Sequence, residues 1–164
     1  MVLGDLDTAF TALGPPRTRP LFVMEIGVDR THLIGGPAGI DRRVGDIGAG
    51  HFRGERLSGE VFSGGTDWQI LRADGALLLD ARVVLRTDDD AVIAMDYTGI
   101  RVGPPTVMAR LARGEPVEPS DYYFRTSPRF ATVDPRYEWL NRIVAVGIGH
   151  RRPAGPIYSI FEIL

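Results

Sequence analysis

Four short stretches carry side chains suited to acid–base chemistry on a small molecule. ALLLDARVVLRT (76–87) sets Asp80 and Arg82 two residues apart, a carboxylate fit to serve as a general base beside a guanidinium fit to hold an anion. YYFRTSPRF (122–130) does the same with Tyr123 and Arg125. A phenol and a planar fork of donors suit a carboxylate or an enolate. GGTDWQ delivers Asp67, Trp68 and Gln69 directly after Gly64–Gly65. YEWLNR puts Tyr137, Trp139 and Asn141 on one side if the segment is extended, and two aromatics with an amide are what a mostly apolar pocket uses.

Each set has a purely structural alternative. In 76–87 the residues Leu77, Leu79, Ala81, Val83 and Leu85 share one face, and Asp80, Arg82 and Arg86 share the other, because side chains alternate along a strand. The charged face is then either solvated, as on an ordinary antiparallel sheet, or lines the lumen of a barrel wide enough for a ligand. Arg125 equally caps a barrel rim. Trp68 either walls a pocket or plugs a barrel end while Asp67 serves its turn.

The elements that must position these residues have period two. Segments 20–28, 41–47, 51–62, 67–73, 76–87, 91–102 and 121–132 are rich in Val, Ile, Leu, Phe and Tyr, and turn residues separate them. ADGA and TDDDA read as hairpin turns. Residues 140–150 and 157–164 form a last hairpin across RRPAGP. PPTVMARLARGEP (104–116) begins with proline, carries Val107, Met108 and Leu111 on one helical face and ends in Arg and Gly, so it reads as a helix. DPRYEW (134–139) reads as a single helical turn. Residues 1–19 form a lead-in with one short helix, LDTAFTAL, and residues 20–164 a single domain. Nine or so strands around one helix, without alternating strand–helix units, give an all-β antiparallel sheet closed into a barrel or sandwich.

Composition closes several function classes. The 164 residues are 44% hydrophobic, contain no cysteine, and have 19 basic residues that are all arginine. Thiol chemistry, thiolate metal sites, lysine Schiff bases and the lysine-bearing phosphate loop are therefore unavailable. With 21 acidic residues and a pI near 5.9 there is no basic excess for nucleic acid. No apolar run reaches the roughly 20 residues of a membrane span, and the acidic N-terminus is unlike a signal peptide, so a cytoplasmic location is expected. His32, His51 and His150 lack metal-ligand spacing, and no metal or cofactor is expected. GAGHFRG lacks the dinucleotide spacing, no G-x-S-x-G elbow occurs, and Asp88, Asp89 and Asp90 read as a solvated hairpin tip.

The series GERLSGEVFSGGTDWQ (54–69), LDARVVLRTDD (79–89), YTGIRVGP (97–104), YYFRTSPRF (122–130) and YEWLNRIVAVGIG (137–149) resembles the bacterial and fungal family known as domain of unknown function 3237, or uncharacterised protein family 0311. The resemblance covers nearly all the chain after residue 19. It implies a single-domain barrel of the lipocalin or calycin kind, with about 8–10 strands and one short helix. It also implies that the family's recurrent polar and aromatic positions fall on Asp67, Trp68, Gln69, Asp80, Arg82, Arg101, Tyr123, Arg125, Tyr137, Trp139 and Asn141. The TDDDA turn departs from the family's more usual Asp-Asp-Gly.

Two function classes follow. One is a cofactor-free enzyme (isomerase, lyase or hydratase) acting on a small anionic or carbonyl-bearing metabolite, with Asp80 or Asp67 as base and Tyr123 with Arg82 or Arg125 stabilising negative charge. The other is a lipocalin-like binding barrel without chemistry. A small molecule is the expected partner, nucleic acid and membrane are not, and a homodimer stays open.

Overall fold

The computed structural model describes residues 14–164, so the helix read in LDTAFTAL lies outside the described residues. Nine strands follow: β1 (Thr18–Leu33), β2 (Asp41–Arg53), β3 (Ser58–Val61), β4 (Gly65–Leu71), β5 (Leu77–Thr87), β6 (Val92–Val102), β7 (Tyr123–Ala131), β8 (Val144–Arg152) and β9 (Gly155–Ile163). A helix, α1 (Pro105–Ala112), lies between β6 and β7, and 3-10 turns occupy Pro119–Asp121 and Glu138–Arg142.

All pairings are antiparallel, and β9 returns to β1 to close the sheet. Strands β3 and β4 share one position between β2 and β5: β3 pairs with Gly50–Arg53 of β2, and β4 with Asp41–Ile47. The chain is thus an all-β antiparallel barrel with eight positions in its wall. Strands β4, β5 and β6 form the expected consecutive meander, because turns this short cannot make a parallel crossover.

The reading of 51–62 as one strand gives way to a different arrangement. Strand β2 runs unbroken through the glycines of GDIGAGHF, since a glycine is tolerated where another backbone comes close, and a Cβ on Gly50 would collide with the Glu25 carbonyl. The chain then turns at Gly54–Leu57 into β3. Between β3 and β4 the wall bulges at Phe62–Gly64. Gly64 has φ +100°, a region that disfavours other residues, and its N–H donates to the Ile47 carbonyl at 3.0 Å.

An eight-position barrel is just wide enough for its own side chains to fill. Leu79, Ala81, Val83 and Leu85 of β5 point inward, meeting Met24, Phe52, Ile93, Met95, Phe124 and Ile160 in one buried core. Each large apolar side chain buried there contributes about 1.5–3 kcal/mol. One barrel end is shut by Leu140 of the Glu138–Arg142 turn with Phe22, Phe52 and Phe130. At the other end α1 packs Leu111 fully, and Val107 and Met108 partly, against the core, as its helical face requires.

Candidate functional site

The helix-bearing end of the lumen holds a cluster of buried polar groups, Asp67 and Arg101 among them. Strand β4 points Asp67 inward opposite Gly45 of β2 and Ala81 of β5, and two residues on Gln69 shares that face. The Gln69 side-chain amide donates to Asp67 Oδ2 at 2.6 Å, while Asp67 Oδ1 is buried with no partner among the described residues. Strand β6 contributes Tyr97 and Arg101 from the face that carries Ile93 and Met95. The Arg101 Nε is likewise buried and unpartnered among the described residues, and its guanidinium lies 5.6 Å from the centre of the Phe124 ring.

Strand β9 adds Tyr158, whose ring stands 5.4 Å from that of Tyr97 and edge-on to Phe124 at 5.5 Å. The Tyr97 hydroxyl donates to the Tyr158 hydroxyl at 3.4 Å. Tyr122 accepts a hydrogen bond from the Arg151 backbone N–H at 2.8 Å, which ties β7 to β8 at the same end. Outside this mouth a cleft of about 430 Å³, lined by Arg110, Val117, Glu118, Asp121, His150 and Arg151, runs beside α1.

Burial governs the electrostatics. It raises the Asp67 carboxyl above the usual carboxylate value, and the Gln69 hydrogen bond, the nearby Asp80 backbone N–H and the Arg101 charge offset this only in part. Burial likewise lifts the Tyr97 phenol well above its ordinary value and raises Tyr158, so both are neutral donors at physiological pH. Arg101 is lowered, first by burial and then by the neighbouring Arg151 charge. A carboxyl with raised affinity for a proton, a partly desolvated guanidinium and two protonated phenols make a set that could move a proton and steady an oxyanion.

The expected site residues separate into three groups. Asp67, Gln69 and Arg101 meet in the lumen. Asp80, Arg82, Tyr123 and Arg125 instead point outward, which is the solvated alternative for the charged face of 76–87 and rules out the lumenal site in which these four would converge. Asp80 and Arg82 line an outer cleft with Asp96 and Arg129, whereas Tyr123 and Arg125 line a separate outer groove. The reason is volume: the narrow interior accepts the Leu79–Leu85 face, and turning Asp80 and Arg82 inward would bury their charges and expose that apolar face. Trp68 also faces outward, 55% exposed.

Tyr137, Trp139 and Asn141 lie at the closed end, in a segment that coils instead of extending. The Tyr137 hydroxyl donates to Asp89, Arg56 stacks 3.9 Å over Trp139, and Asn141 makes two hydrogen bonds to the Thr132 backbone. Tyr97, Tyr122, Arg151 and Tyr158 are site residues the sequence reading missed. The available signal was alternation: Tyr122 shares a face with Phe124, and Tyr97 shares one with Ile93 and Met95.

Among the described residues no group of three metal-ligating side chains is placed to hold an ion, and no helix is long and apolar enough to cross a membrane.

The chain is 40% identical over 123 residues to a UPF0311 protein of Rhodopseudomonas palustris, covering 75% of this chain and 80% of that one. It is 37% identical to another from Clostridium acetobutylicum, covering 87% and 91%. The crystal structure of a conserved protein of unknown function from Rhodopseudomonas palustris superposes with a TM-score of 0.89 at 34% identity, over 92% of this chain and 99% of that one. A beta-barrel like protein from Acinetobacter baumannii gives 0.80 at 33%, over 92% and 98%. An enzyme from Penicillium herquei shares the fold at 0.71 and 19% identity, over 92% and 96%. The match to the family described as Protein of unknown function (DUF3237) spans residues 16–163, and the chain belongs to that family.

Proposed function

We propose that this barrel is a cofactor-free acid–base enzyme of the isomerase, lyase or hydratase kind, acting on a small anionic or carbonyl-bearing metabolite at the helix-bearing mouth. Asp67 is the base, Arg101 holds the substrate's negative charge, and the Tyr97–Tyr158 pair donates to an oxygen that becomes enolate-like. One observation carries the reading: the buried Asp67 carboxyl has one oxygen fixed by Gln69 and the other unpartnered, beside an Arg101 whose Nε is also unpartnered. Buried polar groups are ordinarily satisfied, and exceptions cluster where ligands bind. The Penicillium herquei protein shows that a barrel of this fold can carry an enzyme. The reading requires neither nucleic acid nor membrane, and it fits a cytoplasmic protein.

The test is solvent-deuterium exchange, followed by proton NMR, at carbons next to the carbonyl in a panel of small 2-oxo acids and ketones. The parent protein should catalyse exchange on one class, and Asp67→Asn should abolish it while keeping the ligand-induced shifts of the tyrosine signals. Exchange that survives Asp67→Asn would sink the assignment. The alternative, a lipocalin-like binding barrel, would hold its ligand at the same mouth, against the aromatic rings of Tyr97, Phe124 and Tyr158, without chemistry. Saturable binding without exchange by any compound would select it.

A further inference from the structure

Next to the charged cleft of Asp80 and Arg82, the outer wall from β7 to β9 has a different character. Strands β7 and β8 pair at only two positions, Arg125 with Ile148 and Thr126 with Gly147, whereas β6 and β7 pair without a gap from Ala94 to Val102. Gly147 lies on the inward face, where a Cβ would collide with the Thr126 hydroxyl. On the outer side of this sparse pairing lies a groove of about 370 Å³. Val146, Ile148 and Phe161 line it, and Ile148 is 42% exposed. A contiguous apolar strip on a barrel exterior marks a binding surface more often than scattered single residues do.

Its one charged lining residue is Arg125. No carboxylate among the described residues forms an ion pair with it. One Nη donates to the Phe124 carbonyl at 3.0 Å, and the guanidinium lies 4.8 Å from the centre of the Tyr123 ring. That stacking sets the plane of the fork and leaves its remaining donors, with the half-exposed Tyr123 hydroxyl, for a ligand. A cation beside an apolar surface attracts an anion more strongly than one in open water.

We infer that this groove is a second binding site, outside the barrel, for a small amphipathic carboxylate whose head is held by Arg125 and Tyr123 and whose apolar body lies along Val146, Ile148 and Phe161. Charge complementarity selects the head, because a planar guanidinium matches a carboxylate with two parallel hydrogen bonds. The apolar strip selects the body. From Arg125 on β7 to Thr18 on β1 the groove crosses three strand spacings, roughly 15 Å, which suits a medium-length chain. The site is independent of the Asp67 site and survives if that reading fails.

Calorimetric titration of decanoate into the full chain, with decanol as its uncharged match, is the test. Saturable decanoate binding is expected, weakened at least about tenfold by Arg125→Gln and by replacement of the ligand with decanol. Arg125→Lys, which keeps charge but loses the fork, should fall between. Ile148→Asp should abolish binding, and Asp67→Asn should leave it unchanged. Equal affinity for decanol and decanoate, indifference to Arg125→Gln, or no saturable binding would overturn the proposal. So would a dimer in sedimentation that Ile148→Asp separates, since the groove would then be the contact between two copies.

Discussion

Gln69 Nε2 donates to Asp67 Oδ2 at 2.6 Å along the inward face of β4, which fixes one carboxyl oxygen and leaves the other free inside the barrel. The arrangement depends on alternation, because residues two apart on a strand share a face. It makes Asp67 the lumenal carboxylate with a held orientation and a raised proton affinity.

The first prediction concerns stability and pH. Asp67 has a folded-state pKa above its unfolded value of about 3.9, so burial favours its protonated form. Its contribution to stability is fully present below the unfolded pKa and is lost as pH rises through the folded one. Asp67→Asn should therefore melt higher than the parent at pH 7, and the difference should vanish in acid near pH 3. Melting curves across that range check it, and a variant less stable than the parent at neutral pH would contradict the burial argument.

Alkaline titration gives a second prediction. Tyr97 and Tyr158 are both raised by burial inside the lumen. Tyrosinate absorbance from these two should appear only in a late stage that coincides with unfolding. The Tyr97→Phe, Tyr158→Phe double variant should lose amplitude from the late stage alone.

Packing around Phe124 yields a third. A Cβ on Gly149 would lie 2.5 Å from the Phe124 ring, which is itself 1% exposed. Gly149→Ala should destabilise by about 1–3 kcal/mol, as overpacking does in a close-packed core. In Phe124→Leu the same alanine should cost clearly less, a coupling that a double-mutant cycle in urea measures.

A fourth prediction separates the lumen from the outer wall. Asp80 and Arg82 are exposed and lie outside the Asp67 set. Asp80→Asn and Arg82→Gln should each change stability by less than about 0.5 kcal/mol, the usual result at exposed positions. Neither should alter a carbon-acid exchange activity that depends on Asp67. Loss of activity in Asp80→Asn, with the fold intact by circular dichroism, would return the chemistry to the outer face.

The period-two pattern of Leu77 to Leu85, the ADGA and TDDDA turns and the proline-initiated helix are local features, so the sequence alone determined the antiparallel meander, α1 and its Val107–Met108–Leu111 face. The absence of lysine and cysteine closed whole classes of covalent chemistry in the same way. Alternation also established that Asp80 must travel with Arg82, and Tyr123 with Arg125. It did not establish which way either pair points, because a strand has two faces and only closure of the sheet makes one of them an interior. Closure at eight positions left room for Leu79, Ala81 and Val83 and none for a charged face, so the candidate carboxylate became Asp67 instead of Asp80. The meeting of Asp67, Tyr97, Arg101 and Tyr158 was likewise a tertiary result: they come from β4, β6 and β9, and β9 reaches the others only across the curvature of the closed wall.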